Sequence, residues 1–389
     1  MKTKSIEKEI FNRLKIVVGQ SSKLIHKPFF RGNEKKYLND CINSSFVSSS
    51  NSGKYILKFE NKIKKFTKSK FAVSVINGTS GLHIAIKLIT KENEEILVPA
   101  LTFVGTCNSI IYAGAIPHFV DSNIYEYGVD FSKLDNYLSK ITKIKSNKCY
   151  NKKTGRRISA LILVHIFGHP ANIEQALKIS KKYKIKIIED AAESIGSFYK
   201  KKHTGTFGSF GVISFNGNKS ITTGGGGMIL TNDKSLAKKA RHLVSVAKVK
   251  HKYDYIHDEI GYNYAMPNIN AALGCAQLEN ISKIIKFKRK LYLKYKSVFK
   301  DLRDVIILKE SSDSVSNYWL QTLILKDHNK KNFKKIINFI NNKGYQVRPA
   351  WKLISEMKSY KKFPSMNLIN SKKIRNSIIN LPSSPELAS

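Results

Sequence analysis

Short apolar runs alternate with amphipathic segments between about residues 30 and 245. The runs "FAVSVING", "EEILVPAL", "ISALILVHIF", "KIKIIEDAAES" and "FGVISF" predict strands. Between them, "YILKFENKIKKFTK" and "NIEQALKISKKY" have helical spacing, and the length and flanks of "SGLHIAIKLIT" predict a buried helix. A near-continuous apolar run such as residues 158–167 is expected for a strand that is covered on both faces. The alternation therefore predicts βαβ units and a parallel sheet.

The pattern changes after about residue 245. A long helical region, "NINAALGCAQLENISKIIKFKRKLYLKYKSVFKDL", is followed by strand-like "YWLQTLIL", a basic helix "NKKNFKKIINFINNKG" and a short strand "YQVRP". We therefore predict an N-terminal helix and arm over residues 1–29, a large domain over 30–245 and a small α+β domain over 246–389. The polar tract of residues 143–157, "KIKSNKCYNKKTGRR", is predicted to be an exposed connection between sheet elements.

The chain is strongly basic, with 68 Lys and Arg residues against 28 Asp and Glu residues and a net charge of +40. One explanation is an anionic partner such as nucleic acid, and the other is compositional drift with some electrostatic steering. The lysines are scattered along the chain rather than gathered in one tail or one helix stripe, and no nucleic-acid-binding motif is recognised. The distribution favours drift, and we expect no nucleic-acid partner.

The four cysteines, Cys41, Cys107, Cys149 and Cys275, form no CxxC pair and have no regular spacing. That arrangement argues against a zinc site and a disulfide framework and suits a reducing cytoplasm, and we expect no metal. The N-terminus lacks the continuous apolar core of a signal peptide. No uncharged apolar run approaches the roughly 18 residues needed to span a bilayer. We expect a cytoplasmic protein that does not enter membranes.

Three segments carry candidate chemistry where predicted strands end, which is where open α/β sheets bind ligands. In "NGTSGL" (77–82), the glycines allow a tight turn into a helix whose free N–H groups suit a phosphate, although a plain capped turn explains the pattern equally well. In "IIEDAAES", Glu189 and Asp190 follow an apolar strand, so at least one carboxylate needs a cationic partner or caps a helix. In "SFNGNKSITTGGGGM", Lys219 is isolated between an apolar strand and four glycines. Partial desolvation there would favour the neutral, nucleophilic amine.

The order of these segments and their residues resemble those of the DegT/StrS family of pyridoxal-phosphate-dependent sugar aminotransferases. The resemblance runs from residue 30 to about residue 385. The segments that carry it are "FRGNEKKYL", "NGTSGLHIAIKL", "VPALTFVGTCNSI", "HIFGHPANI", "IEDAAESIGSFYKKKHTGTFG", "SFNGNKSITTGGGGM", "DEIGYNYAMPNINAALGCAQL", "NYWLQTLIL" and "VRPAWKL".

The resemblance implies a role for each matching residue. Lys219 would form the Schiff base with pyridoxal 5'-phosphate and shuttle the proton, and Asp190 would pair with the pyridine nitrogen. The implied cofactor-binding set is Gly78, Thr79, Ser80, Phe103, Asp190, Glu193, Ser214, Lys219 and, from the partner subunit, the residue equivalent to Asn263. His169, Arg348 and Trp351 are weaker candidates for substrate contact, and a lone loop histidine is more often structural.

The resemblance also implies a fold and a reaction. We expect an α/β fold of the aspartate-aminotransferase type (fold type I), with a three-layer α/β/α large domain and a small α+β C-terminal domain, assembled as a homodimer with shared sites. The expected reaction moves an amino group from L-glutamate to C4 of a 4-keto-6-deoxy nucleotide sugar linked to UDP or GDP. Short motifs such as "FRGNE" and "FNGNK" are most similar to those of the legionaminic acid branch. Bacillosamine- or perosamine-type 4-aminotransferases and a non-catalytic protein of the same fold are the alternatives.

The sequence departs from the family pattern at residue 265 and in the C-terminal segment. Ala265 stands where many family members have arginine, which changes a subunit contact or a substrate contact. The sequence ends at "LPSSPELAS", where family members usually continue through another helix, so closure of the small domain is harder to predict.

Overall fold

The computed structural model describes residues 5–19, 21, 23–48, 53–327 and 329–389. Its helices are α1 Ile6–Val18, α2 Glu34–Asn43, α3 Lys54–Thr67, α4 Gly78–Ile89, α5 Val104–Tyr112, α6 Phe131–Ile141, α7 Ile173–Tyr183, α8 Lys234–Val244, α9 Asn268–Glu279, α10 Ile281–Phe299, α11 Lys330–Asn342 and α12 Ile369–Arg375. Its strands are β1 Phe71–Val75, β2 Glu95–Pro99, β3 Ile116–Val120, β4 Thr142–Lys145, β5 Lys148–Asn151, β6 Arg157–Val164, β7 Lys186–Asp190, β8 Phe198–Tyr199, β9 Lys202–His203, β10 Phe210–Ser214, β11 Gly227–Thr231, β12 Lys248–Val249, β13 Ile256–His257, β14 Val305–Ile307, β15 Ser314–Val315, β16 Gln321–Leu325, β17 Arg348–Pro349 and β18 Ile378–Leu381.

The large domain is built on a mixed, mostly parallel sheet with the strand order β1-β11-β10-β7-β6-β2-β3. Pairing is parallel from β10 through β7, β6 and β2 to β3, whereas β11 runs antiparallel to both of its neighbours. The parallel βαβ architecture predicted from the alternating pattern is confirmed. Because the strands are parallel, their carboxyl ends meet at one edge, which is where the candidate residues lie.

Both faces of this sheet are covered, which gives three layers. Successive residues of one strand lie in different hydrophobic clusters: Val212 belongs to the cluster that includes α4 and α7, and Ile213 belongs to the cluster that includes α3 and α9. Side chains alternate across a strand, so a strand that is buried on both faces must be apolar throughout. This requirement explains the continuous apolar run of β6, of which only Arg157 is not fully buried.

The C-terminal region forms a second, antiparallel sheet with the strand order β14-β16-β18-β17. Its core includes residues of α10 and α11 and also Ile10 and Leu14 of α1. By contrast, α9 packs against α2 and α3 under the large sheet. Helix α1 therefore packs with the C-terminal region although it comes first in the chain, and α9 packs with the large sheet.

The tract of residues 143–157 differs from its prediction as an exposed connection. Residues Thr142–Lys145 and Lys148–Asn151 form the antiparallel hairpin β4–β5, and β5 also pairs with β6. Cys149 and Asn151 are buried, while Lys143 and Lys145 are exposed. The polar composition did not indicate strands because β4 is exposed after Thr142, and only Cys149 and Asn151 of β5 are buried.

Candidate active site

Lys219 lies in the loop between β10 and β11, at the carboxyl edge of the large sheet. Its Nζ is 3.3 Å from Glu193 Oε1 and 3.9 Å from the centre of the Trp319 ring. The Lys219 side chain is only 13% exposed. A carboxylate on one side and an aromatic face on the other both attract a protonated amine, through a charge-assisted hydrogen bond and a cation–π contact.

Glu193 is fixed from both ends of its carboxylate. The N–H of Phe167 donates to Oε2 at 2.7 Å, and Lys219 Nζ donates to Oε1. Burial raises the pKa of Glu193, and the positive charge of Lys219 opposes this effect. The positive charge of Lys219 therefore favours the ionised form of Glu193 against the effect of burial.

Asp190 ends β7 and points into the same space. Its Oδ2 accepts a hydrogen bond of 2.7 Å from Thr106 Oγ1, and its Oδ1 accepts one of 3.2 Å from the N–H of Ala192. The side chain is buried, with 6% exposure. Since both oxygens accept from donors, Asp190 presents a carboxylate of fixed orientation to the cavity.

Glu189, the preceding residue, points away from the cavity and is fully buried. It accepts hydrogen bonds from the N–H groups of Gly205, Phe207 and Gly208 and contacts His165 Nε2 at 3.0 Å. Although burial opposes ionisation, these hydrogen bonds lower the pKa of Glu189. Of the two candidate carboxylates, Glu189 supports the loop of residues 205–208 and Asp190 faces the cavity.

The turn at residues 77–80 begins α4 beside Ser214. The Asn77 side chain caps the helix by accepting from the N–H of Ser80 at 2.8 Å, while the N–H groups of Gly78 and Thr79 have no partner within the helix. A Cβ on Gly78 would lie 3.0 Å from Ser214 Cβ, and a Cβ on Gly227 would lie 2.7 Å from the carbonyl carbon of Asn77. The absence of side chains at both glycines thus lets β10, β11 and α4 meet closely.

These groups surround one cavity of about 320 Å³. Phe103 and Trp351 form its outer wall, with ring centres 6.3 Å apart. The structure brings together eight of the predicted residues along its lining: Gly78, Thr79, Phe103, Asp190, Glu193, Ser214, Lys219 and Trp351.

Four predicted residues do not line this cavity. Ser80 is buried behind it in the first turn of α4. Asn263 is exposed and bridges to Ser245. Arg348 lines an adjoining cavity. His169 lines a separate cavity and packs edge-on against Tyr318, and its burial lowers its pKa to about 4.

The sequence reasoning missed two side chains that contact the central groups. Trp319, just before β16, lies under Lys219, and its Nε1 donates to the carbonyl oxygen of Asn218 at 2.7 Å. Thr106 of α5 orients Asp190. Both lie in quoted segments, "NYWLQTLIL" and "LTFVGTCNSI", but neither residue type has a strong chemical signature by itself.

The fold and the site together define a class of protein. A mostly parallel three-layer sheet that brings a lysine, a buried aspartate and a helix N-terminus around one cavity is the arrangement of an α/β enzyme that binds a phosphorylated, electron-accepting cofactor. The chain belongs to the DegT/DnrJ/EryC1/StrS aminotransferase family, whose model matches residues 29–389.

Individual relatives agree with this assignment. The chain is 36% identical over 366 residues to a GDP-perosamine synthase of Escherichia coli O157:H7, covering 94% of each chain. It is 35% identical over 326 residues to EpsN of Bacillus subtilis (strain 168), a putative pyridoxal phosphate-dependent aminotransferase, covering 84% of this chain and 80% of EpsN. The fold is also that of Helicobacter pylori PseC, an aminotransferase involved in the biosynthesis of pseudoaminic acid, which superposes with a TM-score of 0.82 at 24% identity, covering 92% of this chain and 93% of PseC.

The protein is therefore a pyridoxal-phosphate-dependent aminotransferase of the sugar aminotransferase family. The residues around the cavity fit this cofactor. Gly78 and Ser214 leave a cradle at the start of α4, Asp190 offers a fixed carboxylate, and Lys219 offers an amine. None of the helices in the described part of the chain is both long enough and apolar enough to cross a membrane.

Proposed function

We propose that the protein transfers an amino group from L-glutamate to C4 of a 4-keto-6-deoxy nucleotide sugar. The observation that carries this proposal is the single cavity that both Lys219 and Asp190 line at the carboxyl edge of the sheet. The similarity to GDP-perosamine synthase over nearly the whole chain supports a nucleotide sugar as the amino acceptor.

We assign the residues that would hold the cofactor from their positions in the cavity. The N–H groups of Gly78 and Thr79 and the Ser214 hydroxyl suit its phosphate, and Asp190 suits its ring nitrogen. Phe103 offers an aromatic face at the cavity wall, where it is 53% exposed before any ligand covers it. When bound, pyridoxal phosphate supplies the electron sink that stabilises the charge left by removal of a proton.

Lys219 is assigned as the base that accepts a proton at Nζ from the α-carbon of the amino donor. The amine then carries a positive charge, which Glu193 Oε1 and the face of Trp319 stabilise at 3.3 and 3.9 Å. Because Glu193 is itself held by the N–H of Phe167, Nζ has a defined resting position. Fixed placement of this kind lowers the entropic part of the barrier.

Two substrate branches have separate support. The resemblance of the motifs "FRGNE", "FGHPA" and "FNGNK" favours the legionaminic acid branch, in which the sugar carries an N-acetyl group. The 36% identity to a GDP-perosamine synthase over 94% of both chains favours a GDP-linked sugar of the perosamine type. The two branches differ in the C2 substituent of the sugar, which a substrate panel can resolve.

The decisive experiment supplies the cofactor-loaded protein with glutamate and GDP- or UDP-linked 4-keto-6-deoxy sugars, with and without a 2-N-acetyl group. We expect mass detection to find a 4-amino product for one class and 2-oxoglutarate in equal amount. Borohydride trapping and peptide mapping should place the cofactor on Lys219. Lys219→Ala should remove both signals, whereas Lys201→Ala, an exposed residue outside the cavity, should retain them. Absence of an amine with every sugar would refute the proposal.

We further propose a homodimer whose partner subunit completes the site. Asn263, assigned to the partner's cofactor, is exposed in a single chain. Apolar side chains nearby are also largely exposed, with Tyr255 at 81% and Ile260 at 86%. Burial of such side chains is a common source of association free energy. Light scattering should give twice the mass of one chain, and a monomeric mass at micromolar concentration would contradict the dimer.

A further inference from the structure

A second cavity of about 420 Å³ adjoins the one that contains Lys219. The two cavities share Asn218, Trp319 and Trp351, so a ligand that fills the first can continue past the tryptophans into the second. The second cavity lies mainly between the small sheet and the segment before α2. We call it the Arg375 cavity; its charged and polar lining consists of His26, Asn218, Arg348, Lys352, Arg375 and Asn380.

The charge of the Arg375 cavity has one sign. Arg348, Lys352 and Arg375 are cationic, and no Asp or Glu lines the cavity in the described part of the chain. Arg348 and Lys352 are exposed, while Arg375 is half-buried and donates at 3.4 Å to the side-chain oxygen of Asn376, an uncharged partner. Three cations without a facing carboxylate create a positive potential that an anionic ligand would neutralise.

His26 adds a buried and unsatisfied polar group to this lining. It is only 7% exposed, and neither ring nitrogen has a hydrogen-bond partner among the described residues. Burial, together with the positive charges of Lys288 and Lys219, lowers the pKa of His26 well below its usual value. A buried polar group without a partner is costly, so an imidazole in this position is expected to meet a ligand.

The backbone on both sides of His26 is fixed. The N–H of Ile25 donates to Gln346 Oε1 at 3.2 Å, and its carbonyl oxygen accepts from the N–H of Ser383 at 2.8 Å. The N–H of Lys27 donates to Ser384 Oγ at 2.8 Å. The segment is therefore anchored to the small domain, which holds the imidazole at the cavity before any ligand arrives.

We propose that the Arg375 cavity is an anion subsite that binds the diphosphate of the nucleotide sugar through Arg375, Lys352, Arg348 and His26. The inference rests on the proposed function for the identity of the ligand. A sugar whose C4 lies near Lys219 carries its diphosphate at the opposite end, and the adjoining cavity is where that end would lie. Three cations and one N–H donor match the several oxygens and two charges of a diphosphate better than a single carboxylate.

The test measures binding without turnover. Calorimetry of the cofactor-loaded protein with inorganic pyrophosphate, GDP and UDP gives dissociation constants for the wild type, Arg375→Gln, Lys352→Gln and His26→Gln. We expect Arg375→Gln to weaken binding roughly tenfold or more, since a charge-assisted hydrogen bond is lost. Lys352 is exposed, so its replacement should leave the fold intact while weakening binding by about threefold. The matched control is Lys373→Gln, an exposed residue of α12 outside the cavity, which should bind like the wild type.

Each outcome decides the proposal. The glutamate half-reaction, followed by cofactor absorbance, is measured in Arg375→Gln, and Lys373→Gln is the variant that should retain the wild-type rate. If the glutamate reaction weakens while pyrophosphate binding does not, the cavity binds the donor's carboxylate and the diphosphate assignment is wrong. Equal binding by Arg375→Gln, Lys352→Gln and Lys373→Gln would also overturn it. If the cavity variants lose pyrophosphate binding but the wild type aminates no 4-keto sugar, the subsite stands and the proposed function fails.

Discussion

At the scale of single residues, the orientation of Asp190 depends on a short chain of hydroxyl groups. Thr106 Oγ1 donates to Asp190 Oδ2 at 2.7 Å and lies 3.1 Å from Thr102 Oγ1. Because the hydroxyl proton of Thr106 is donated to Asp190, the hydroxyl of Thr102 is the donor in the bond between the two threonines. Both threonines are buried, so water does not substitute readily for a lost hydroxyl. The carboxylate would retain only the longer bond from Ala192.

We expect Thr106→Val to weaken cofactor binding by roughly fivefold, because about 1 kcal/mol of hydrogen bonding that orients Asp190 is lost. Fluorescence titration of the apoprotein with pyridoxal phosphate measures the dissociation constant. Thr106→Ser keeps the hydroxyl and should restore most of the affinity, while Thr102→Val, one bond further from the carboxylate, should have a smaller effect. An affinity in Thr106→Val equal to that of the wild type would show that Ala192 alone orients Asp190.

The placement of Lys219 and Asp190 at the carboxyl edge of the sheet was predictable from sequence because each residue stands out from its surroundings. Lys219 is isolated among uncharged residues, and Asp190 ends an apolar strand. Trp319 was not predictable in the same way. It contacts Lys219 across 100 residues of chain, and an aromatic residue before a buried strand is ordinary core composition. Contacts between side chains from distant elements depend on packing that no local pattern contains.

At the scale of elements, the hairpin β4–β5 is attached to the large sheet by a buried carboxylate. Glu95, the first residue of β2, accepts from Asn151 Nδ2 at 3.0 Å and from Thr154 Oγ1 at 2.6 Å, and lies 2.8 Å from His118 Nδ1. The side chain is 0% exposed. Although burial raises the pKa of Glu95, these hydrogen bonds outweigh it and lower the pKa. The sequence offered no sign of this network, which explains why residues 143–157 were predicted as an exposed connection.

We expect Glu95→Gln to destabilise the protein by about 1–3 kcal/mol, because an amide accepts at only one of the two former oxygen positions and replaces charge-assisted hydrogen bonds with weaker neutral ones. The free energy of unfolding in urea measures this change. Glu94→Gln is the matched control, since Glu94 pairs with Arg157 at 3.1 Å in a more accessible position, and it should cost less than about 1 kcal/mol. Equal losses in the two variants would contradict a special role for the buried network. Cofactor affinity should not change in either variant, because Glu95 begins β2 at the edge opposite the cavity.

At the scale of the whole molecule, the apolar pattern predicts which faces are covered but not which elements cover them. Strands that are apolar on both faces predict a parallel sheet covered on both sides, and that prediction is confirmed. The amphipathic pattern of α1 predicts a helix but does not specify its partner. Ile10 and Leu14 could cover any apolar surface, and α1 packs against α10 and α11 in the C-terminal part of the chain. Amphipathic periodicity fixes which face is buried and leaves the neighbour to be chosen by tertiary packing.

The buried histidines give the whole molecule a stability that depends on pH. His203 illustrates the cause: its Nε2 accepts from the N–H of Gly196 at 2.8 Å, and its Nδ1 contacts the carbonyl oxygen of Thr204. The ring is therefore neutral, with its proton on Nδ1, and protonation at Nε2 would oppose two N–H groups. Burial lowers the pKa of His203 to about 4. Since the unfolded chain has the higher pKa, near 6.5, stability from the neutral ring is fully present above about pH 6.5 and is lost as the pH falls toward 4.

Between pH 7 and pH 5 we expect His203 alone to account for about 2 kcal/mol of lost stability, from the separation of these two pKa values. In His203→Gln, the free energy of unfolding should be lower at pH 7 but should fall by about 2 kcal/mol less on going to pH 5. His251→Gln removes an exposed histidine and should keep the wild-type pH dependence. If His203→Gln and the wild type had the same pH dependence, the pKa of His203 would be the same in the folded and unfolded chains. That result would contradict the hydrogen bonds that keep the buried ring neutral.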